Sequence, residues 1–128
     1  MFIVSAQAHY DSAHFLRNYK GKCERLHGHR YVVEAAFASD ELDDAGIAFD
    51  FVIIKKELRA LADYLDHENI NDLSPFDVIE PSAENQARWF HDELKDRLPA
   101  PMAAGLAYVR VWETPNQWAQ YGERPPAF

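Results

Sequence analysis

Two long alternating runs lie close together at the start of the chain, and they leave few folds open. Residues 2–15, FIVSAQAHYDSAHF, alternate with a short period that ends at Tyr10 and Phe15, and predict a strand with room for a bulge. Residues 29–39, HRYVVEAAFAS, are rich in Val, Tyr and Phe and predict a second strand. The polar stretch 17–24 with Gly21 is a loop between them, so the simplest pairing is a long antiparallel hairpin.

The period then changes. Asp50 is placed to cap a helix whose apolar residues Phe51, Ile54, Leu58, Leu61 and Leu65 recur at spacings of three and four. Pro81 and Ser82 announce a second helix, with Glu84 in its first turn and Ala87, Phe90, Leu94 and Leu98 along one stripe. Residues 66–80 form a loop tied down by Ile70, Leu73 and Phe76, and residues 99–105 end the second helix. Alternation returns in LAYVRVWE at 106–113, and residues 118–122 predict a short fourth strand. Residues 123–128 form an irregular tail, because their prolines lack ladder donors.

The order β-β-α-α-β-β predicts an α+β fold, a four-stranded antiparallel sheet with two helices on one face. With 128 residues, this is one domain spanning 1–128. Its sheet is open at both edges, which favours assembly of several copies.

A formal charge of −8 disfavours a general nucleic-acid or anionic-membrane surface. No apolar run reaches the roughly 20 residues of a membrane span, and the start is too polar after Val4 for a signal-peptide core, so a cytoplasmic protein is expected. Cys23 is the only cysteine, which excludes an intramolecular disulfide.

His27 and His29 are two positions apart, on one side of a strand if it has already begun, and His14 ends the strand expected to pair with it. Three imidazoles converging across a hairpin can hold Zn²⁺ with a fourth position open to water or substrate. The competing reading is a polar turn beside an isolated His14. Cys23 lies among Lys20, Lys22 and Arg25, which favour its thiolate, although a small buried hydrophobe is the alternative. Arg17, Lys20, Lys22, Arg25 and Arg30 fall between His14 and Arg30, where Glu24 is the only acid. This patch suits a phosphorylated small molecule, and a solvated loop is the other reading. Asp66 and His67 can act as an oriented proton shuttle or simply as a polar helix end. Glu113, at a strand end, can accept paired N–H donors of a heterocycle or remain an exposed cap. Trp89, Trp112 and Trp118 are expected in the core or an interface.

YDSAHFL, CERLHGH, DF-x-x-I-K, LDHENIND, EPSAEN and VWET, in that order, resemble the 6-pyruvoyl-tetrahydropterin synthase family across residues 2–121. The three residues between Cys23 and His27 make the chain most similar to the branch that forms 6-carboxy-tetrahydropterin for 7-deazapurines such as queuosine. The resemblance implies zinc on His14, His27 and His29, a catalytic Cys23, proton transfer by Asp66 and His67, and a pterin anchor at Glu113. It also implies the tunnelling fold, in which copies form a ring, as a trimer or dimer of trimers, with sites at subunit boundaries. The implied reaction is lyase chemistry on 7,8-dihydroneopterin triphosphate that releases triphosphate and acetaldehyde. The alternatives are triphosphate elimination to a 6-pyruvoyl product and a non-catalytic zinc- and pterin-binding oligomer. Phe15 stands where the family often has a basic residue, so phosphate contacts fall to Arg17, Lys20 or Lys22.

Overall fold

The computed structural model describes residues 1–122, apart from the side chain of Cys23. The expected tail at 123–128 lies outside the described residues. The elements are β1 (Phe2–His14), β2 (His27–Ser39), α1 (Phe51–Leu65), α2 (Ala83–Arg97), α3 (Ala100–Gly105), β3 (Leu106–Thr114) and β4 (Gln117–Tyr121). The strands form one antiparallel sheet in the order β1-β2-β3-β4, with helices packed on one face.

The hairpin forms as its alternation predicts. Register is unbroken from Phe2↔Ser39 to His14↔His27, so β1 carries no bulge. β2 begins two residues earlier than the sequence reading, at His27, because the ladder runs to the last pair before the loop. Ala6, Ala8 and Tyr10 of β1 and Tyr31, Val33, Ala35 and Phe37 of β2 face inward and are buried. Ile54, Leu58, Leu61 and Leu65 of α1 and Ala87, Phe90 and Leu94 of α2 cover them. Each large side chain so buried contributes about 1.5–3 kcal/mol.

Both helix starts follow their capping chemistry. Asp50 accepts from the Val52 N–H and Ser82 from that of Asn85, satisfying donors that a helix leaves open at its first turn. Phe51, expected on the core stripe, is 46% exposed at the first helical position, where it lines an open groove with Phe2 and Ile3. Residues 99–105 were expected only to terminate α2, but most of them form α3. Pro99 caps it and Pro101 sits in its first turn, where the missing N–H has no intrahelical partner to lose.

The connection from α1 to α2 folds back against β1. The Ala13 N–H donates to the Glu68 carbonyl at 3.0 Å, and Ala13 and Asn69 form a parallel bridge. The expected anchors Ile70 and Phe76 are fully buried, and Leu73 packs against the core. Positions 66–69 are thereby fixed beside the end of the hairpin that carries the histidines.

Candidate metal centre

Ladder pairing decides which side chains meet. His14 lies opposite His27, Ser12 opposite His29 and Tyr10 opposite Tyr31, so all six share the helix-covered face. The ligand-capable atoms of His14, His27 and His29 all lie within 4.8 Å of one another. The Nε2 atoms of His14 and His27 are 3.0 Å apart. Two ligands about 2.0–2.1 Å from one tetrahedral ion would be separated by about 3.3 Å, close to this spacing.

Tautomers follow from the other ring nitrogen. His14 Nδ1 is 2.7 Å from the Pro81 carbonyl, and His27 Nδ1 is 2.7 Å from the Arg25 carbonyl. A carbonyl can only accept, so each Nδ1 carries a proton, and Nε2 is the one nitrogen of each ring left to offer a lone pair, with the two Nε2 atoms aimed at each other. Facing lone pairs need a cation or an extra proton between them. Glu113, from the end of β3, adds to the same demand. Its Oε2 lies 3.5 Å from His14 Nε2 and 3.4 Å from His29 Nε2, while its Oε1 accepts from Gln117 Nε2 at 3.4 Å. Three imidazole nitrogens with a carboxylate beside them fit a divalent cation such as zinc.

Burial pushes the pKa values of His14 and His29 below their ordinary range. For His14 the Pro81 carbonyl and Glu113 pull upward against this, and for His29 Glu113 does so. Both rings are therefore neutral, as metal ligation requires, at neutral pH.

Asp66 and His67 meet directly, with His67 Nδ1 2.9 Å from Asp66 Oδ2. The Asp11 N–H donates to Asp66 Oδ1 at 2.8 Å, and the His67 N–H donates to the Asp11 carbonyl at 2.7 Å. These bonds hold His67 at φ 58°, a left-handed conformation that few non-glycine residues adopt. The Asp11 N–H first, and His67 after it, keep the Asp66 carboxyl below the usual range. The imidazole of His67 is exposed and lines one shallow hollow with Ser12, Gly28 and His29. Asp66 and His67 form a cluster of their own with Asp11, separate from the three histidines.

The basic residues are placed differently. The Arg17 guanidinium donates to the carbonyls of Phe76 at 2.7 Å, Ile79 at 3.1 Å and Asn71 at 3.3 Å, and lies 3.6 Å from Glu80. It clamps the 71–80 loop instead of facing the histidines. Lys20 and Lys22 are exposed on the loop between β1 and β2. Cys23 belongs to a single 3-10 turn, Lys22–Glu24, four residues before His27. Trp89 packs against the core, Trp112 is half-buried, and Trp118 is exposed on β4. Sequence reasoning missed the groups behind His14, namely the Pro81 carbonyl and the buried Gln86. The available signal was a polar residue at 86 inside the apolar stripe of Ala83, Ala87 and Phe90.

The sequence matches the family model described as 6-pyruvoyl tetrahydropterin synthase over residues 3–124. It is 35% identical over 124 residues to a 6-carboxy-5,6,7,8-tetrahydropterin synthase of Aquifex aeolicus, covering 80% of this chain and 76% of the relative. A protein of the same name from Synechocystis is 32% identical over 126 residues, covering 94% and 93%. Among solved structures, the 6-pyruvoyl tetrahydropterin synthase of Caenorhabditis elegans superposes with a TM-score of 0.83 at 28% identity, covering 95% of this chain and 96% of that one.

Proposed function

The chain belongs to the 6-pyruvoyl tetrahydropterin synthase family, and on that premise we propose that it is a zinc-dependent lyase. It converts 7,8-dihydroneopterin triphosphate and one water to 6-carboxy-5,6,7,8-tetrahydropterin, with release of acetaldehyde and triphosphate, in cytoplasmic 7-deazapurine biosynthesis. The observation that carries this reading is the convergence of three imidazoles, two of them with Nδ1 held on a backbone carbonyl. The relatives named for the 6-carboxy product favour this branch over the 6-pyruvoyl one.

His14, His27 and His29 would hold the zinc, which supplies Lewis-acid stabilisation of charge developing on the substrate's side-chain oxygens. Cys23, as thiolate, removes or relays the proton at the side-chain carbon next to the ring. His67, oriented through Nδ1 by Asp66, moves the oxygen-side proton with its Nε2. Glu113 offers carboxylate oxygens to the paired N–H donors of the pterin edge. Lys20 and Lys22 are free to meet the triphosphate, whereas Arg17 would first have to leave its loop carbonyls. Among the described residues no strand pairs with the outer edge of β4, and β1 is bridged on its outer edge only near its His14 end, which supports a homo-oligomer with sites at subunit boundaries.

The test is to incubate zinc-loaded protein with 7,8-dihydroneopterin triphosphate and identify every product by mass spectrometry, trapping any aldehyde. Acetaldehyde with 6-carboxy-tetrahydropterin is expected, and Cys23→Ala should lose turnover while retaining zinc. A pyruvoyl product would move the protein to the other branch. Unchanged substrate, or full turnover by Cys23→Ala, would overturn the proposed chemistry.

A further inference from the structure

Behind the histidines runs a buried polar chain that the proposed chemistry does not use. Gln86 of α2 is fully buried, and so is Tyr10 of β1. The Tyr10 hydroxyl donates to Gln86 Oε1 at 2.6 Å, and Gln86 Nε2 donates to the Pro81 carbonyl at 3.0 Å. That carbonyl is also the acceptor for His14 Nδ1 at 2.7 Å. Both of its lone pairs are therefore engaged, one by the amide and one by the imidazole. The amide orientation is fixed as well, because only its NH₂ can face a carbonyl.

The Pro81 carbonyl has a second possible fate. It stands just before α2, and in a helix extended by one residue it would accept from the Asn85 N–H, four residues on. Here the Ser82 hydroxyl takes that N–H at 3.2 Å, which leaves the carbonyl outside the helical ladder. A carbonyl without a ladder bond is free to turn unless something else holds it. The Gln86 amide does so from inside the core. We propose that Gln86, supported by Tyr10, is a positioning residue: it aims the Pro81 carbonyl at His14 Nδ1 and so presents the His14 Nε2 lone pair to the metal.

Burying an amide and a phenol hydroxyl in an apolar layer costs stability unless both are bonded, and an apolar pair of similar shape would serve packing alone. The polar chain ends on a metal-ligating ring, and second-shell partners of such rings typically change metal affinity about 10–100-fold when removed. This inference rests on the metal reading of the three histidines, so the experiment separates the two. Zn²⁺ affinity is measured by competition with a chromophoric chelator for the parent, His27→Ala, Gln86→Leu and the double variant Tyr10→Phe/Gln86→Leu. Thermal stability and the ¹⁵N signals of the His14 ring are recorded for each metal-free form.

The double variant replaces both polar partners by apolar groups, and its stability should return toward the parent's while Gln86→Leu alone is less stable. Zinc affinity should nevertheless remain at least about tenfold weaker in both. His14, a single Nδ1–H tautomer in the parent, should become a mixture. Parental zinc affinity in a double variant of restored stability would overturn the inference and leave the metal site standing. Should the double variant stay unstable, an unchanged His14 tautomer in Gln86→Leu, read well below its melting temperature, would overturn it equally. A parent that binds zinc no better than His27→Ala would instead overturn the metal reading.

Discussion

His14 is 1% exposed and His29 is part-buried, and burial lowers the pKa of each from 6.5. In the metal-free protein the unfolded chain therefore takes up protons at these positions before the folded one does. Stability should be unaffected by the pair above about pH 6.5 and should fall as pH drops from there toward the lowered folded values. Thermal denaturation with chelator from pH 7.5 to 5.0 measures this, and His14→Asn removes the His14 part of the slope from the background of other groups. A parent no more pH-sensitive than His14→Asn would contradict the burial of a neutral ring. Zinc should add more stability at pH 7.5 than at 5.5, since protons compete for the same lone pairs. The histidine cluster was legible in the sequence because strand alternation and hairpin pairing are local rules, and they bring positions 14, 27 and 29 together. The placement of Glu113 against those rings was not. It depends on the register of β3 on β2, set by pairs such as Val32↔Trp112 and Val33↔Val111 between strands about 80 positions apart in the chain, which no local sequence signal marks.

The 66–80 connection, whose one helical turn is the 3-10 segment Ile70–Asp72, is held in place by side chains from outside it. Arg17 donates to three of its backbone carbonyls, and Asn71 bonds the backbone of Phe15 in both directions, accepting at 2.9 Å and donating at 3.0 Å. Part-buried carbonyls that lose a charged donor are only partly resolvated, so Arg17→Ala should destabilise the protein by about 1 kcal/mol in urea denaturation. Arg17→Lys should recover little, because an ammonium cannot reproduce the planar fork. If Arg17 instead served the substrate's phosphates, both variants would raise KM and leave the denaturation midpoint unchanged. The role was hidden in the sequence because its partners are carbonyls 54 to 62 positions away, which no residue type announces. The helices, by contrast, were readable to the cap: Asp50 and Ser82 are recognisable by chemistry and by the apolar stripe that follows. α3 was missed because two prolines read as breakers, although the start of a helix tolerates them.

At the scale of the whole molecule, the candidate site sits at the loop end of a sheet whose first strand has an incompletely covered edge. On β1 the backbone of Asp11 and Ala13 and the His9 carbonyl point outward, where they bond the 66–68 segment and Arg59. With alternation unbroken along β1, the N–H and C=O groups of Ile3, Ser5 and Gln7 point the same way, and among the described residues nothing pairs with them. An unpaired run of this kind is a template for another strand, and the far edge, β4, is short and carries an exposed Trp118. Assembly by edge pairing would join these two edges between copies. Ser5→Pro tests this because proline is tolerated where an edge N–H faces outward, yet it removes one donor from any intermolecular ladder. The parent should sediment as a multiple of the 14.7 kDa chain, and Ser5→Pro should shift the population toward the single chain at the same concentration while keeping the parental far-ultraviolet circular dichroism. If neighbouring copies complete the site, turnover should fall with dissociation and return as protein concentration is raised. A parent that sediments as a single chain and turns over at a rate independent of concentration would show that one copy holds everything the reaction needs.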